Sequence, residues 1–257
     1  GFEVTLLPVN KDGLLDLSLL KKSIRSDTLI FSIMHVHNEI GVIQNIHDIA
    51  NICYDRGVLC HIDCAQTIGK TSPKLPEKVS LASYSGHKCY GPNGIGALFI
   101  NDCPKRQLKK LLHGGSQQHN LRAGTIPLFL IAGFVKAVQL THQYHTKHLE
   151  HFAQIHDLLS TKLHPKITWN GSISSRAPQN IHITLPATEI SKLNKLKSQF
   201  CLSGQSACQT ATSSHVLQSL GLDPVQQQYS LRIAVSHLTN LEDVSLLINR
   251  INSIVSS

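Results

Sequence analysis

The chain has 257 residues, of which 41% are hydrophobic and 16% are charged, and its formal net charge is +8. This composition indicates a globular protein with one large or two unequal domains, and it excludes a disordered or fibrous chain. The Lys and Arg residues are dispersed and no nucleic-acid-binding motif accompanies them, so we expect no nucleic-acid partner. Because no apolar run is long enough to span a bilayer, we expect no membrane partner either.

The first half of the chain alternates between predicted strands and helices. It begins with Gly1 rather than Met, directly before a strand-like stretch at 2–7, so we expect a long N-terminal stretch to precede it. A helix is predicted over 45–56, where apolar residues recur at helical spacing and Gly57 follows as a C-terminal cap. Strands are predicted over 28–36, 58–63, 79–83 and 96–100. This succession of strand, helix and strand predicts a mostly parallel sheet.

The second half predicts a smaller αβ region. The apolar stretch 126–138 is interpreted as a buried helix, and a second helical segment continues to about residue 163. Beyond it, the pattern predicts strands at 167–169, 179–185 and 231–236 and helices at 189–199 and 241–255. We place a domain boundary at the break between the two long helices, which divides the chain into 1–144 and 145–257.

The seven cysteines stand at irregular spacings in a chain too large to need disulfides. This usage favours a reducing compartment, and we expect the protein to be cytoplasmic. Cys201 is flanked by apolar residues as in a strand and is interpreted as a structural thiol.

Two clusters of potential metal ligands have simpler explanations. In the strand at 58–63, alternation of side chains separates Cys60 and Cys64 from His61 and Asp63, so buried thiols are favoured over a metal site. Four histidines at three-residue spacing are interpreted as a solvated helix surface, and these are His142, His145, His148 and His151. We therefore expect no bound metal.

Polar side chains follow the ends of the predicted parallel strands. Asn38, Asp63 and Lys88 all stand at or just past a strand end, where α/β sheets gather their ligands. Lys88 offers an amine for a Schiff base, Asp63 a carboxylate for a protonated ring nitrogen, and Ser85 a hydroxyl for a phosphate. Gln66 and Asn38 offer amide donors for a ring oxygen. This set of groups is the one that pyridoxal 5'-phosphate requires.

Seven longer runs make the pattern more specific than any single residue. They are MHVHNEIG at 34–41, HIDCAQ at 61–66, SGHKCYGP at 85–92, HGG at 113–115, RAGT at 122–125, SGQSAC at 203–208 and SLR at 230–232. With these runs in this order, the chain resembles the cysteine desulfurases of the NifS/IscS type, in the class V aminotransferase family of fold type I pyridoxal-phosphate enzymes. The resemblance implies an α/β large domain with a mostly parallel sheet over 1–144, incomplete on its N-terminal side. It also implies a smaller C-terminal α+β domain over 145–257 that carries the catalytic-cysteine loop.

The resemblance gives a role to each residue of the cofactor site. Lys88 is implied to be the Schiff-base lysine and Asp63 the partner of the pyridine nitrogen. Ser85 and His87 are implied phosphate ligands, and His87 also stands beside Lys88 among the catalytic residues. Gln66 is implied to lie at the ring oxygen of the cofactor.

Four further roles follow from the resemblance. Asn38 is implied to contact the ring oxygen and the substrate, and Arg232 to clamp the substrate carboxylate, a task suited to a bidentate guanidinium. Thr125 resembles the threonine that reaches the phosphate of the other subunit's cofactor, which implies a homodimer. Cys208 matches the mobile-loop cysteine that attacks the substrate sulfur, and small or polar residues surround it as such a loop requires.

The implied reaction converts L-cysteine to L-alanine and delivers the sulfur as a persulfide on Cys208. The implied acceptor is a protein, either an iron–sulfur scaffold or a tRNA-modifying sulfurtransferase. Two alternatives stay open at this point. One is a selenocysteine lyase of the same family, and the other is a truncated, inactive fragment that acts only as a binding partner.

The sequence departs from the family pattern at several positions, among them Gln209, which follows Cys208 where the family's loop is usually rich in Ser and Thr. The run GGSQQ at 114–118 stands where the family has Gly-Gly-Gly-Gln/His-Glu, and His119 replaces a common arginine. A ring-stacking histidine and a Gly-Thr phosphate-binding turn belong to the part of the family pattern that precedes Gly1. We therefore expect this chain alone to bind the cofactor weakly and to have little activity.

Overall fold

The computed structural model describes residues 1–71, 74–101, 108–204 and 213–256 and divides into two compact units. The first unit comprises Gly1–Ser23, Val36–Gln44 and His145–Ser257, and the second unit comprises Ile24–His35 and Asn45–Tyr144. Each unit has a sheet of its own. The assignment of 1–144 to a cofactor domain and of 145–257 to a cysteine-carrying domain stays a prediction.

The second unit is built on a four-stranded sheet in the order β1-β2-β3-β4. Its strands are β1 (Ile30–Met34), β2 (Leu59–Asp63), β3 (Leu81–Ser85) and β4 (Gly96–Ile100). The first three run parallel and β4 pairs antiparallel with β3, which confirms the predicted mostly parallel sheet. The strand ends differ slightly from those predicted, because pairing between strands, rather than apolar pattern, sets where each strand ends.

The helix Ile46–Asp55 connects β1 to β2 as the crossover that parallel pairing requires. Asn45 caps this helix, since its side chain accepts a hydrogen bond from the backbone N–H of Asp48. One apolar face of the helix is buried and includes Ile49 and Cys53. The sequence pattern therefore predicted this element and its buried face correctly.

The helix Leu128–Gln143 is not the buried helix that its apolar sequence predicts. It buries one stripe, formed by Phe134, Ala137 and Thr141, whereas Leu128 is 73% exposed and Phe129 is 77% exposed. Its apolar residues surround the whole circumference, so packing on one side leaves the others at the surface of the described chain. Within the described ranges, no helix has both the length and the apolar character needed to cross a bilayer.

The first unit is built on a three-stranded antiparallel sheet. Its strands are β5 (Thr168–Trp169), β6 (Asn180–Thr184) and β7 (Ser230–Ala234), in that order across the sheet. The helices described in this unit are Leu17–Ser23, His145–Lys162, Ile190–Gln199, His215–Ser219, Pro224–Gln228 and Leu241–Ser256. The core formed by the sheet and the three longest helices includes Ile155, Leu193 and Leu231, which have no exposed surface. The second unit also contains a 3-10 turn, Gly86–Cys89, and a short turn, Gln117–Asn120, in which Gln118 and His119 have non-helical backbone angles.

Residues 2–7 form no regular strand, although their sequence is strand-like. Phe2, Val4 and Leu6 are 86%, 77% and 87% exposed. An alternating apolar pattern is only part of what a strand needs, because a neighbouring strand must also stand in register with it. A single antiparallel bridge between Val9 and Leu15 follows this stretch instead.

A buried arginine ties the segment Val36–Gln44 into the first unit. Arg176 is 6% exposed, and its guanidinium donates to the backbone carbonyls of Ile40 at 2.6 Å, Asn170 at 2.6 Å and Asn180 at 3.3 Å. Burial lowers the pKa of Arg176 to about 10, so the group keeps its charge at neutral pH. One planar donor group thus joins two parts of the chain that are distant in sequence.

Gly41 lies inside this segment with a φ of +73°. The carbonyl oxygen of Asn180 lies so close that an added Cβ would overlap it. The N–H of Gly41 donates to the carbonyl of His37, and its own carbonyl accepts from the N–H of Ala177, each at 2.9 Å. Only glycine combines this left-handed conformation with so close an approach of another backbone.

We expect Gly41→Ala to lower the free energy of unfolding of the first unit by about 2–4 kcal/mol, since left-handed strain and overlap add together. Gly221→Ala is the matched control, because Gly221 also has positive φ (+91°) but an added Cβ there meets nothing within 4 Å. The control should cost only about 1 kcal/mol. Urea unfolding followed by the fluorescence of Trp169, the single tryptophan, measures both. Equal effects of the two substitutions would contradict the close contact.

Candidate active site

The ends of β2 and β3 place two predicted site residues on neighbouring strands. Asp63 is the last residue of β2 and Ser85 the last of β3. The carbonyl of Asp63 accepts from the N–H of His35 at 2.9 Å, and its carboxylate Oδ1 accepts from the N–H of Ala65 at 2.9 Å. Ser85 Oγ lies 3.1 Å from Nδ1 of His87. Backbone bonds therefore hold the Asp63 carboxylate at the strand end, with a hydroxyl and an imidazole at the end of the next strand.

A single turn of 3-10 helix, Gly86–Cys89, follows β3 and carries the half-buried Lys88. The N–H of Gly86 donates to the carbonyl of Ile95 at 2.9 Å, and an added Cβ on Gly86 would lie 2.8 Å from the Ile95 side chain. Tyr90 ends the turn in the left-handed conformation, with a φ of +66°. The turn is thus fixed by close backbone packing, and it presents Lys88 directly after the end of β3.

The turn after β2 contributes two more groups, Gln66 and Lys70, of which the sequence motifs predicted only Gln66. Oε1 of Gln66, the predicted ring-oxygen ligand, accepts a hydrogen bond from Nζ of Lys70. The pKa of Lys70 is lowered to about 8, mainly by burial and further by the positive charge of Lys88. Lys70 was not among the residues predicted from the sequence, although its four-residue spacing from Gln66 in a helix-like turn was a usable signal. We call Asp63, Gln66, Lys70, Ser85, His87 and Lys88 the strand-end cluster.

Thr125 also belongs to the second unit, and its side chain is exposed. The neighbouring N–H of Gly124 donates to Oε1 of Gln117 at 3.2 Å. Three successive non-glycine residues with positive φ lie between them, namely Gln118, His119 and Asn120. Such a run is uncommon, and it falls where the sequence departs from the family pattern.

Arg232 and Asn38 come together in the first unit. Arg232 lies on β7, and its guanidinium donates to Ser203 Oγ at 3.1 Å and to the backbone carbonyl of Asn38 at 3.3 Å. The same carbonyl accepts from the side-chain amide of Asn180 at 3.1 Å. A half-buried guanidinium held in this way can present its remaining N–H groups to a carboxylate.

Cys208 lies outside the described residues, but both flanks of the stretch 205–212 are described. On one flank, Nε2 of His182 lies 3.3 Å from the carbonyl of Gly204. On the other flank, Ser214 is fully buried; its hydroxyl donates to Oε1 of Glu39 at 2.6 Å, and its N–H donates to Oε1 of Gln227 at 2.8 Å. The two ends of this stretch are therefore fixed by polar contacts in the first unit.

Cys201 is neither in a strand nor buried, so its interpretation as a structural thiol is wrong. It is exposed and has a φ of +52°. The N–H of Leu202 donates back to the carbonyl of Lys197 at 2.9 Å, which closes the C-terminal end of the helix Ile190–Gln199. This bond defines a Schellman motif, and Cys201 occupies the left-handed position in it that glycine usually takes.

The two other cysteine and histidine patterns have structural roles. Cys60 and Cys64 are buried thiols, as the alternation of β2 predicted. Two of the four spaced histidines are partly exposed but also make contacts: the His148 ring stacks on that of His237 at 4.7 Å, and His151 Nε2 lies 2.8 Å from the carbonyl of Thr239. In the described part of the chain, no three His, Cys, Asp or Glu side chains form a group that could hold a metal ion.

Comparison with known proteins identifies the class to which this architecture belongs. The family model of class V aminotransferases matches residues 1–247, and the chain therefore belongs to this family, which confirms the resemblance seen in the sequence. Cysteine desulfurase IscS of Vibrio campbellii is 36% identical over 261 residues, covering 100% of this chain and 65% of that protein. The chain thus spans slightly less than two thirds of the length of this curated relative.

Solved structures give the same result for the fold. A NifS-like protein superposes with a TM-score of 0.87 at 29% identity, covering 100% of this chain and 69% of that one. SspA in complex with cysteine superposes with a TM-score of 0.78 at 31% identity, covering 92% of this chain and 67% of that one. The fold type I architecture predicted from the motif runs is therefore confirmed.

His182 makes the first unit sensitive to acid. Its ring is fully buried, and Nδ1 accepts from the side-chain amide of Asn170 at 2.8 Å, so the proton of the neutral ring stands on Nε2. Burial is the main cause that lowers the pKa of His182 to about 3, and burial with the charge of His215 lowers that of His37 to about 4. Between these lowered values and the ordinary pKa of 6.5, each histidine is protonated in the unfolded chain but neutral in the folded unit.

We therefore expect the first unit to lose stability as the pH falls from about 6.5 toward 4, by up to about 1.4 kcal/mol per pH unit for each histidine. His182→Gln should make this dependence weaker, whereas His145→Gln, on the partly exposed start of a helix, should leave it as in the wild type. Urea unfolding between pH 4 and 7, read from Trp169, measures the slope. A slope unaffected by His182→Gln would contradict the assignment.

Proposed function

We propose that this chain is part of a pyridoxal-phosphate-dependent cysteine desulfurase, which converts L-cysteine to L-alanine and carries the sulfur as a persulfide on Cys208. The observation that carries the proposal is the strand-end cluster, in which Lys88 follows β3 while Asp63 ends the neighbouring β2. Membership of the class V aminotransferase family and the full coverage of this chain by cysteine desulfurase IscS support it.

The groups of the strand-end cluster fit pyridoxal phosphate by their chemistry. Lys88 would hold the cofactor covalently, Asp63 would pair with the protonated ring nitrogen, and Gln66 would donate to the ring oxygen. Ser85 and His87, 3.1 Å apart, would bind the phosphate, and Thr125 would reach that of a second subunit. When bound, the cofactor supplies an electron-withdrawing ring that stabilises negative charge at Cα of an amino acid.

The substrate would be bound by groups of the first unit. Arg232 would take the carboxylate of L-cysteine, with its guanidinium oriented by Ser203 and by the carbonyl of Asn38. The side chain of Asn38 would contact the same substrate. Lys88, once free of its covalent bond, would move a proton from the substrate Cα, with His87 beside it.

Sulfur transfer would take place at Cys208. Its thiolate Sγ attacks the sulfur of L-cysteine and an S–S bond forms. The Cβ–S bond breaks with its electron pair going to carbon, and protonation of that carbon gives alanine. The persulfide would then pass to an acceptor protein, such as an iron–sulfur scaffold or a tRNA-modifying sulfurtransferase.

We also propose that the protein acts as a homodimer in a reducing compartment, the cytoplasm. The exposure of Thr125 supports the dimer, because a group that serves a second subunit must be accessible to it. The four buried thiols Cys53, Cys60, Cys64 and Cys89 are all free, which supports the reducing setting.

Lys88→Ala should abolish the covalent cofactor complex, because Lys88 is the proposed Schiff-base lysine and the other amine of the cluster, on Lys70, donates to Gln66. Excess pyridoxal phosphate is added, the visible absorbance is recorded, and borohydride reduction followed by peptide mass spectrometry locates the bound cofactor. Lys78→Ala is the control, because Lys78 belongs to the same unit but not to the strand-end cluster. Its Nζ lies 3.5 Å from Oδ1 of Asp55 and over the Tyr54 ring. Cofactor trapped on Lys70 or Lys78 in the wild type would contradict the role of Lys88.

Cys208→Ser should reduce alanine and sulfide release from L-cysteine by more than about a hundredfold, because it removes the attacking thiolate. Cys201→Ser is the control and should keep the activity, although Cys201 is also an exposed thiol. Equal losses in both variants would contradict the assignment, and activity in neither the variants nor the wild type would favour a binding partner.

Comparing alanine release from cysteine and selenocysteine separates a desulfurase from a selenocysteine lyase.

A further inference from the structure

Lys70 is placed by the turn that follows β2. The N–H of Lys70 donates to the carbonyl of Thr67 at 3.1 Å, and the N–H of Thr71 donates to the same carbonyl at 3.2 Å. The hydroxyl of Thr67 lies 3.1 Å from Nδ1 of the buried His35, which anchors the start of the turn. This tight geometry returns the Lys70 side chain toward Gln66, one helical turn earlier in the sequence.

The contact between Lys70 and Gln66 has a defined direction. An ammonium group can only donate, so Nζ of Lys70 selects the oxygen of the Gln66 amide and not its nitrogen. With Oε1 occupied, the Nε2 group of the same planar amide faces away from Lys70. The two ends of a glutamine amide have nearly the same size, so packing alone does not choose between them, whereas a fixed cation does.

The charge environment of Lys70 adds to this selectivity. Burial and the positive charge of Lys88 both lower the pKa of Lys70 to about 8, while a negative charge on Cys89 would act in the opposite direction. Among the described residues, the ionisable groups that act on Lys70 are therefore Lys88 and Cys89, both in the turn after β3. A buried ammonium has lost most of its contacts with water, so its hydrogen bond to an amide oxygen is stronger than that of an exposed ammonium.

We propose that Lys70 is a positioning residue, whose ammonium fixes the Gln66 amide so that its NH₂ group is presented as a donor to the ring oxygen of the cofactor. This inference rests on the proposed function, which assigns Gln66 to that oxygen. Without Lys70 the amide can rotate and turn its own oxygen toward the cofactor, which replaces an attractive contact by a repulsive one. Lys70 itself needs no contact with the cofactor or the substrate.

The first test uses the chain without cofactor. Selective ¹⁵N-glutamine labelling, with the Gln66→Glu variant to assign the signal, gives the side-chain amide resonances of Gln66. In the wild type these should shift with a midpoint near pH 8, following the protonation of Lys70. In Lys70→Met, the Gln66 amide shift should no longer change around pH 8. In Lys70→Arg, the shift should keep its low-pH value at all pH values. The control Lys78→Met should resemble the wild type. A Gln66 signal that is the same in Lys70→Met as in the wild type would overturn the inference.

The second test adds pyridoxal phosphate and measures its dissociation constant from the visible absorbance. Lys70→Met should raise the dissociation constant by about tenfold, because the Gln66 amide is then no longer held as a donor to the ring oxygen. Lys70→Arg should return the constant close to the wild-type value. An unchanged constant in Lys70→Met would overturn the positioning role. Absence of cofactor binding in every protein, including the wild type, would instead count against the proposed function, while the cofactor-free measurement still decides whether Lys70 orients Gln66.

Discussion

Parallel strands end at the same edge of their sheet, and in the second unit Asp63, the last residue of β2, pairs with Ser83, two residues before β3 ends at Ser85. The turns that follow Asp63 and Ser85 carry Gln66, Lys70 and Lys88. Strand pairing and the turns that follow the strands are sufficient to bring these residues to one edge of the sheet. The backbone bond from His35 to Asp63 extends the same pairing one residue past the end of β1. The strand-end cluster is therefore a direct product of sheet topology.

In the first unit, three buried polar side chains have defined hydrogen-bond partners. Arg176 is bound by carbonyls, His182 lies between Asn170 and Gly204, and Glu39 accepts from the Ser214 hydroxyl. Burying such groups without partners would cost several kcal/mol, so each contact also specifies one arrangement of the chain. Together they hold the segment around Asn38 and the two flanks of the stretch that contains Cys208.

Apolar periodicity was sufficient to predict the helix at 46–55, the parallel strands and the crossover between them, because these elements obey local rules. It failed where a second segment decides the outcome. Residues 2–7 have a strand-like pattern but no regular strand pairing, and the helix Leu128–Gln143 exposes apolar residues that its sequence assigned to a core. Cys201 was misjudged because its apolar neighbours concealed a helix end. In the cluster, motif order located Asp63 and Lys88, but only the folded turn revealed the contact of Lys70 with Gln66.

The way in which Arg176 is bound has a consequence for the effect of salt. Among the described residues its hydrogen-bond partners are peptide carbonyls, and the Trp169 ring lies 5.6 Å away, so no carboxylate shares its charge there. Dissolved ions screen charges that they can approach, and they weaken exposed pairs such as Lys192 with Glu189. They have little access to a guanidinium that is 6% exposed. The hydrogen bond by which Arg176 holds the segment around Asn38 should therefore depend little on ionic strength, whereas the exposed ion pairs of the same unit should weaken as the salt concentration rises.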